Sequence, residues 1–350
     1  MMRSIRMKCI KKNNIIRTVS LLLVMFILLT GCGRKNKFVG GGETLFSFGG
    51  NKVSFGETYI YAQTVIDNYK KTYGDDIFET DVETSDGSTA PLADVTRKDV
   101  IDSIIRVKVL NSKADDYKLD ITNEDKELAL NEANAFWDSL TDQQRTDMQL
   151  NQTLVQGVMT ENLVADAVYN AVIADVDDEI SDEEARETSF FDMYFPCYEV
   201  GKYGTIKEFD EERKKEQYGW ALDAYEELTQ NGGDSIEALA AEYELDQSSH
   251  YTMTPEEIKE TYGETICSNL YELEDNTFST VMESEYGYHI FYMEALTDRE
   301  ATDVRKEEIL SERRDKYFNE KYKSWRRSMD RSFNYDKSVN QELYSQIKFE

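Results

Sequence analysis

Apolar residues recur every three or four positions through most of the chain between residues 57 and 176. Tyr61, Val65 and Tyr69, for example, are four residues apart and would share one face of a helix. The same periodicity predicts four helices, over Glu57–Tyr73, Arg97–Tyr117, Thr122–Leu140 and Gln152–Val176. Before them, Leu45–Phe48 and Lys52–Ser54 flank a Gly-Gly-Asn turn and indicate a hairpin. Residues 80–93 are rich in Asp, Ser, Thr and Gly, so we expect a loop there.

The pattern of apolar and polar residues changes after an acidic segment at residues 175–184. The short aromatic segment Ser189–Phe195 is stopped by Pro196, which indicates a strand. Further elements are predicted as helices over Glu208–Gln230 (ending at Gly232-Gly233), Ser235–Tyr243 and Thr254–Tyr271, and as strands over Phe278–Val281 and Tyr286–Ala295. A long charged helix over Asp303–Arg331 has an apolar stripe with no neighbour of its own, so we expect it to pack back on the first helical region. The predicted fold class is α+β.

Charge and composition narrow the range of functions. The chain has 40 Lys and Arg against 69 Asp and Glu, a net charge of -29, whereas nucleic-acid binding depends on clustered cations. We therefore expect no nucleic-acid partner. The 350 residues include 2 His and 4 Cys and lack CxxC, HExxH and Gly-rich phosphate motifs. We expect neither a metal site nor a small-molecule cofactor.

The first residues have the pattern of a targeting segment. Residues 1–31 contain six basic residues and no acid, and the apolar run Leu21–Leu29 is too short for a comfortable transmembrane helix. The following Leu29-Thr30-Gly31-Cys32 resembles a bacterial lipobox, which would make residues 1–31 a signal peptide and Cys32 the lipid-modified first residue. Residues 32–44 would then be a tether, holding the protein at the extracytoplasmic face of a bacterial cell membrane. The alternative is an uncleaved anchor.

Several segments together resemble the PrsA-type foldase lipoproteins and the SurA-like chaperones. They are Gly50–Ser54, Asp99–Leu110, Ile121–Asp125, Leu239–Asp246, Phe278–Val281 and Tyr286–Ile290. The resemblance implies a mainly helical chaperone domain built from both chain ends, over residues 45–184 and 299–350. It also implies an inserted parvulin-like domain over residues 185–298, of the peptidyl-prolyl isomerase type. The expected partners are unfolded or partly folded secreted polypeptides.

The resemblance also implies a site in the parvulin-like half. His289 and Asp246 match the family's catalytic positions, and Tyr262 and Ile266 fall near positions that line its proline pocket. Parvulins usually carry a second His on the first strand; Met193 occupies that place here, or Tyr194 if the alignment shifts by one residue.

The absence of the family's second histidine leaves open whether the chain is an active prolyl isomerase. Rotation about an X–Pro bond needs no covalent catalysis, only a pocket that favours the twisted amide. The chain is therefore predicted to be a membrane-anchored foldase that either isomerises prolyl bonds or acts as a holdase whose parvulin-like domain only binds. A solute-binding lipoprotein is disfavoured, because residues 97–176 show helices only and no strand–helix alternation. A structural envelope adaptor is the third alternative.

Overall fold

The computed structural model describes residues 41–84, 86–201, 203–231 and 236–350. The described chain divides into two compact units: residues 177–313 form one, and residues 41–176 combine with residues 314–350 to form the other. The α+β class, with both chain ends in one helical unit, is confirmed. The predicted signal peptide, Cys32 and the Gly232-Gly233 helix stop lie outside the described residues. None of the described helices is long and apolar enough to span a bilayer.

The elements, in chain order, are as follows. They are β1 (Thr44–Phe48), β2 (Asn51–Ser54), α1 (Phe55–Tyr73), β3 (Asp81–Glu83), β4 (Thr89–Pro91), α2 (Leu92–Asn111), α3 (Asn123–Ser139), α4 (Asp142–Asp147), α5 (Gln152–Ile173), β5 (Thr188–Pro196), β6 (Tyr198–Val200), β7 (Ile206–Glu208), α6 (Glu211–Asn231), α7 (Ile236–Glu242), β8 (Ser249–Met253), α8 (Pro255–Tyr262), α9 (Glu264–Leu270), β9 (Thr277–Phe278), β10 (Met282–Ser284), β11 (Gly287–Ala295), α10 (Arg299–Met329), α11 (Tyr335–Ser338) and α12 (Gln341–Tyr344).

The helical unit confirms the β1–β2 hairpin and the four helices α1, α2, α3 and α5. Thr122 begins α3 with a reciprocal capping box to Asp125, as its sequence indicates. The expected loop over residues 80–93 is wrong, because β3 and β4 pair there as a small hairpin. The last described residues of the predicted tether are already folded against this unit: the Gly41 amide donates to the Gln149 carbonyl over 3.1 Å.

Both chain ends contribute to the core of the helical unit. Tyr344 and Phe349, near the C-terminus, are buried among side chains of the β1–β2 hairpin, α1 and α2. The Tyr344 hydroxyl also donates to the Arg97 carbonyl over 2.9 Å. Phe318 of α10 is buried with Val168 of α5 and neighbouring side chains of α2, so the final helix packs on the first helical region as predicted.

A buried ion cluster joins three helices of this unit. Lys108 of α2 is 6% exposed, and its Nζ lies 2.6 Å from Glu57 Oε1 of α1 and in contact with Glu161 of α5. A buried charge is tolerated only when it is paired, because removal from water is costly. The Lys108 ammonium therefore compensates two carboxylates at once.

The 177–313 unit is built on an antiparallel five-stranded sheet. Its order is β10-β11-β5-β8, and β9 pairs with β11 farther along that strand. Helices α6 and α7 pack on one face through Met193 and Ile290, and α8 and α9 pack on the other through Phe190 and Phe291. The strand predicted over Ser189–Phe195 is confirmed as β5.

Two features of this unit differ from the sequence prediction. The helix expected from Thr254 to Tyr271 is broken into α8 and α9 at Gly263, whose φ of +89° lies in the region that favours glycine. The segment before α8, Ser249–Met253, forms strand β8 beside β5.

Salt bridges from Asp182 to Arg299 and Lys306 hold the acidic segment after residue 177 to the start of α10. The proposed domain limits at 184/185 and 298/299 stay predictions.

Replacing Lys108 should show how much this cation stabilises the folded chain. Lys108→Met leaves the buried Glu57 and the half-buried Glu161 without a cation, so we expect the free energy of unfolding to fall by about 3–5 kcal/mol at pH 7. Urea unfolding followed by circular dichroism measures the change. Adding Glu57→Gln and Glu161→Gln should restore much of the loss, and the exposed Lys126→Met is the matched control. A loss no larger than that of the control would contradict this account.

A second prediction concerns pH. Burial raises the pKa of the Asp166 carboxyl to about 8, against the opposing effect of Arg106. Between about pH 4 and this value, the folded chain holds a proton that the unfolded chain releases, so this group makes folding less favourable as pH rises. Asp166→Asn should therefore stabilise the chain by up to about 5 kcal/mol at pH 8 and have little effect near pH 4.

Unfolding free energies measured across this pH range test the effect, with the exposed Asp138→Asn as the control. Parallel pH curves for Asp166→Asn and the wild type would rule it out.

Candidate functional site

A cavity of about 500 Å³ opens on the α8 face of the sheet. Strand β5, the β10–β11 turn, the start of β8 and the end of α8 surround it. Four tyrosines and several polar side chains line it: Asp192, Tyr194, Gln247, Tyr251, Glu260, Tyr262, Ser284, Glu285, Tyr286 and His289. It is thus partly aromatic and partly acidic.

A hydrogen-bonded chain of side chains forms the floor of this cavity. His289 Nδ1 lies 2.9 Å from Asp192 Oδ1, and His289 Nε2 lies 2.8 Å from Ser284 Oγ. The Tyr262 hydroxyl donates to Asp192 Oδ2 over 3.1 Å. Asp192 is 4% exposed and His289 is 5% exposed. These contacts satisfy the buried carboxylate and imidazole, as burial of such groups requires.

The network also determines where the imidazole carries its proton. A carboxylate only accepts hydrogen bonds, so the neutral His289 ring donates from Nδ1 to Asp192. Its Nε2 is then the acceptor for the Ser284 hydroxyl proton. Ser284 is held in turn by the Tyr286 amide, whose nitrogen lies 3.3 Å from Ser284 Oγ. The serine hydroxyl therefore lies at the cavity between the Tyr286 amide, the Gly287 carbonyl and the imidazole.

Aromatic rings fix the orientation of His289. Tyr194 stacks on it at 4.5 Å between ring centroids with an interplanar angle of 13°, and Phe291 lies parallel to it at 5.4 Å. Tyr262 meets it edge-on at 5.4 Å. Restricting a ring in this way lowers the reorganisation needed when a substrate binds.

The register between β5 and β11 brings these groups together. Tyr194 is opposite His289, and Asp192 is opposite Phe291, so the alternation of side chains places all four on one face. The two strands also approach closely at Gly287, where a Cβ would collide with the carbonyl oxygen of Phe195. Glycine is needed there to keep the turn beside the site.

Two of the five residues expected at the site line the cavity. His289 and Tyr262 do so, and each contacts Asp192. The other three do not. Met193 is buried on the opposite face of the sheet with α6 and α7, because neighbouring residues of a strand point to opposite sides. Ile266 is buried in the core beneath α9, and Asp246 is exposed in the turn after α7.

Sequence reasoning missed Asp192 and Ser284, and it named Tyr194 only as the alternative to Met193. The carboxylate of the site comes from the centre of β5 and not from Asp246, and Gln247 lines the cavity in place of its neighbour. An acid in the middle of an aromatic strand was the available signal, since a buried Asp is almost always paired. The other histidine, His250, lies across from Phe191 on the other side of β5 and contacts Glu294, so it does not join the site.

No group of three or more metal-binding side chains occurs within the described ranges. Cys197 and Cys267 are free cysteines.

The proton position on His289 is directly testable. Since the chain has two histidines, a long-range ¹H–¹⁵N spectrum at pH 8 should show two rings, and His250→Gln assigns them. We expect His289 to carry its proton on Nδ1, and Asp192→Ala to move it to Nε2 because the acceptor is lost. Tyr262→Phe, which leaves the Asp192–His289 bond, should keep the Nδ1 form. A wild-type ring protonated on Nε2 would contradict the assignment.

Comparison with known proteins agrees with the sequence resemblance. The SurA-like N-terminal domain family matches residues 1–162. The foldase protein PrsA of Caldanaerobacter subterraneus subsp. tengcongensis is 23% identical over 325 residues, covering 87% of this chain and 92% of the relative.

Solved structures of PrsA are also similar to this chain. A PrsA peptidylprolyl isomerase from Bacillus cereus matches 76% of this chain and 97% of its own length at 15% identity, with a TM-score of 0.28. PrsA from Bacillus subtilis matches 74% and 94% at 14% identity, with a TM-score of 0.22. Because these TM-scores are low, the relationship rests on the sequence matches. The chain is thus similar to a SurA-like N-terminal domain over residues 1–162 and to a PrsA foldase over most of both chains, which supports its resemblance to the PrsA-type, SurA-like foldases.

Proposed function

We propose that this chain is a lipid-anchored, extracytoplasmic foldase whose cavity binds prolyl segments of partly folded secreted proteins and accelerates rotation about their X–Pro bonds. The observation that carries the proposal is the buried Ser284–His289–Asp192 network at the floor of a tyrosine-lined cavity. The named activity of the PrsA relatives, a foldase and a peptidylprolyl isomerase, supports it. Attachment through Cys32 and the location outside the cytoplasm are part of the same proposal.

The composition of the cavity suits this reaction. A planar prolyl amide has partial double-bond character and a barrier of about 18–20 kcal/mol, and twisting it removes resonance. The carbonyl oxygen then carries less negative charge, so a carboxylate-rich site disfavours the planar amide more than the twisted one. The aromatic walls supply apolar contact for the proline ring. Catalysis of this kind needs differential binding of the twisted geometry, with no covalent step.

Exposed apolar residues next to the cavity support a role in binding polypeptides. The β6–β7 hairpin presents Tyr203, 88% exposed, with Val200 and Ile206 also exposed. The base of the hairpin reaches the cavity, since Tyr198 packs edge-on against Tyr286 and donates to Gln247. Exposed apolar surface of this kind is typical of a site for partner segments.

The holdase is the competing function within the same family. It would use the same surfaces, and the replacement of the family's second strand histidine is the observation that favours it. The solute-binding alternative finds no support in the described sheets, whose strand pairs are all antiparallel. Ligand-dependent stabilisation by a small molecule would revive it.

The deciding measurement is the cis–trans exchange rate of a proline peptide with the full chain in detergent. We expect acceleration that falls about tenfold or more in His289→Ala, equivalent to about 1.4 kcal/mol of lost transition-state stabilisation. His250→Ala, at the other histidine and on the opposite face of β5, should keep the wild-type rate.

A folded wild-type chain that leaves the exchange rate unchanged would overturn the isomerase. Suppression of the aggregation of an unfolded client by the same sample would then establish the holdase.

A further inference from the structure

The acidic charge of the chain is concentrated in the unit that carries the cavity. Residues 177–313 contain 38 of the 69 acidic residues and 11 of the 40 basic ones. The remaining residues are close to balanced. A protein region with such an excess attracts cationic segments over several ångströms and repels anionic ones.

The rim of the cavity carries carboxylates from two separate elements. Glu260 lies near the end of α8 and Glu285 lies in the β10–β11 turn, and both are exposed. Among the described residues that line the cavity, there is no Lys or Arg. The negative potential at the rim is evident at the neighbouring phenol, because the Glu285 carboxylate raises the pKa of Tyr286.

No cation of the described chain neutralises these rim carboxylates. Within the described ranges, neither Glu260 nor Glu285 forms an ion pair, whereas Asp192 is engaged by His289 and Tyr262. The adjacent cation on α8, Lys259, is paired with Glu264. A cationic group entering the cavity would therefore not compete with a cation of the chain itself.

The aromatic lining is a second, independent feature that fits a cation. Tyr194, Tyr251, Tyr262 and Tyr286 line the same cavity as the two glutamates. Tyrosine faces attract ammonium and guanidinium groups through the ring quadrupole, and Arg also stacks on such rings. Carboxylates at the rim and aromatic faces inside are together suited to a long basic side chain that passes from solvent into an aromatic pocket.

We propose that the cavity selects prolyl segments in which Lys or Arg directly precedes the proline, with Glu260 and Glu285 as the specificity-determining residues. This inference rests on the proposed function and names its substrate class. Exposed charge pairs are individually weak, so two rim carboxylates give a preference of about tenfold over a peptide with Glu before the proline. Salt should reduce that preference, because the screening length is about 10 Å at 0.1 M ionic strength and about 3 Å at 1 M.

The test compares three peptides that differ only at the residue before proline: Lys, Leu or Glu. Catalysed exchange and peptide affinity are measured with the full chain in a non-ionic detergent, at low and at high salt. We expect kcat/KM to follow the order Lys, Leu, Glu, with about a tenfold range at low salt. Glu260→Gln combined with Glu285→Gln should bring the three peptides to within about twofold of one another.

The matched control is Glu226→Gln with Glu227→Gln on α6, which removes the same charge from the exposed surface outside the cavity lining. It should keep most of the preference. Equal rates for the three peptides, or a preference that survives the rim substitutions, would overturn the charge selection while leaving the isomerase standing. Failure to bind or turn over any of the peptides would overturn the proposed function and the selection together. If peptides bind without turnover, the ratio of their affinities decides the selection alone.

Discussion

The antiparallel pairing of β5 with β11 is the constraint on which the site depends. Side chains alternate along each strand, so this register puts Asp192 and Tyr194 on the same face as His289, while Met193 and Ile290 face the opposite helices. A slip of one residue would bury Asp192 in the apolar core and place Met193 beside the histidine. Packing of the apolar core against α6 and α7 therefore determines which side chains of β5 and β11 face the cavity on the α8 side.

Both units of the chain contain buried carboxylates, and each unit compensates the free-energy cost of their desolvation in a different way. In the helical unit one lysine compensates two glutamates, and the cluster is enclosed by α1, α2 and α5. In the 177–313 unit the buried carboxylate of Asp192 is compensated by hydrogen bonds from an imidazole and a phenol, and it borders an open cavity. The first arrangement fixes helix packing. The second leaves a polar network beside a space that a substrate can enter.

The site also shows how a carboxylate on the first strand of the sheet can orient the histidine of the last strand. Asp192 accepts from His289 Nδ1, which leaves Nε2 to accept from Ser284. A neutral imidazole in that position would need to share a proton with His289, whereas a carboxylate sets the direction of the hydrogen bonds by itself. The negative charge it adds agrees with the acidic rim, so the interior and the entrance of the cavity favour ligands of the same sign.

Sequence periodicity determined the helices α1, α2, α3 and α5 and the strand β5, because their apolar spacing and caps are local signals. The family resemblance, carried by short sequence segments, also identified His289 and Tyr262. The break at Gly263 and the strand β8 were missed, since a single glycine and a polar pentapeptide acquire their conformations from their neighbours in the sheet. Asp192, Tyr194 and Ser284 form a site with His289 only through the β5–β11 register and the β10–β11 turn. That register joins residues about a hundred positions apart in the chain, so it is decided by packing on both faces of the sheet and not by any local pattern.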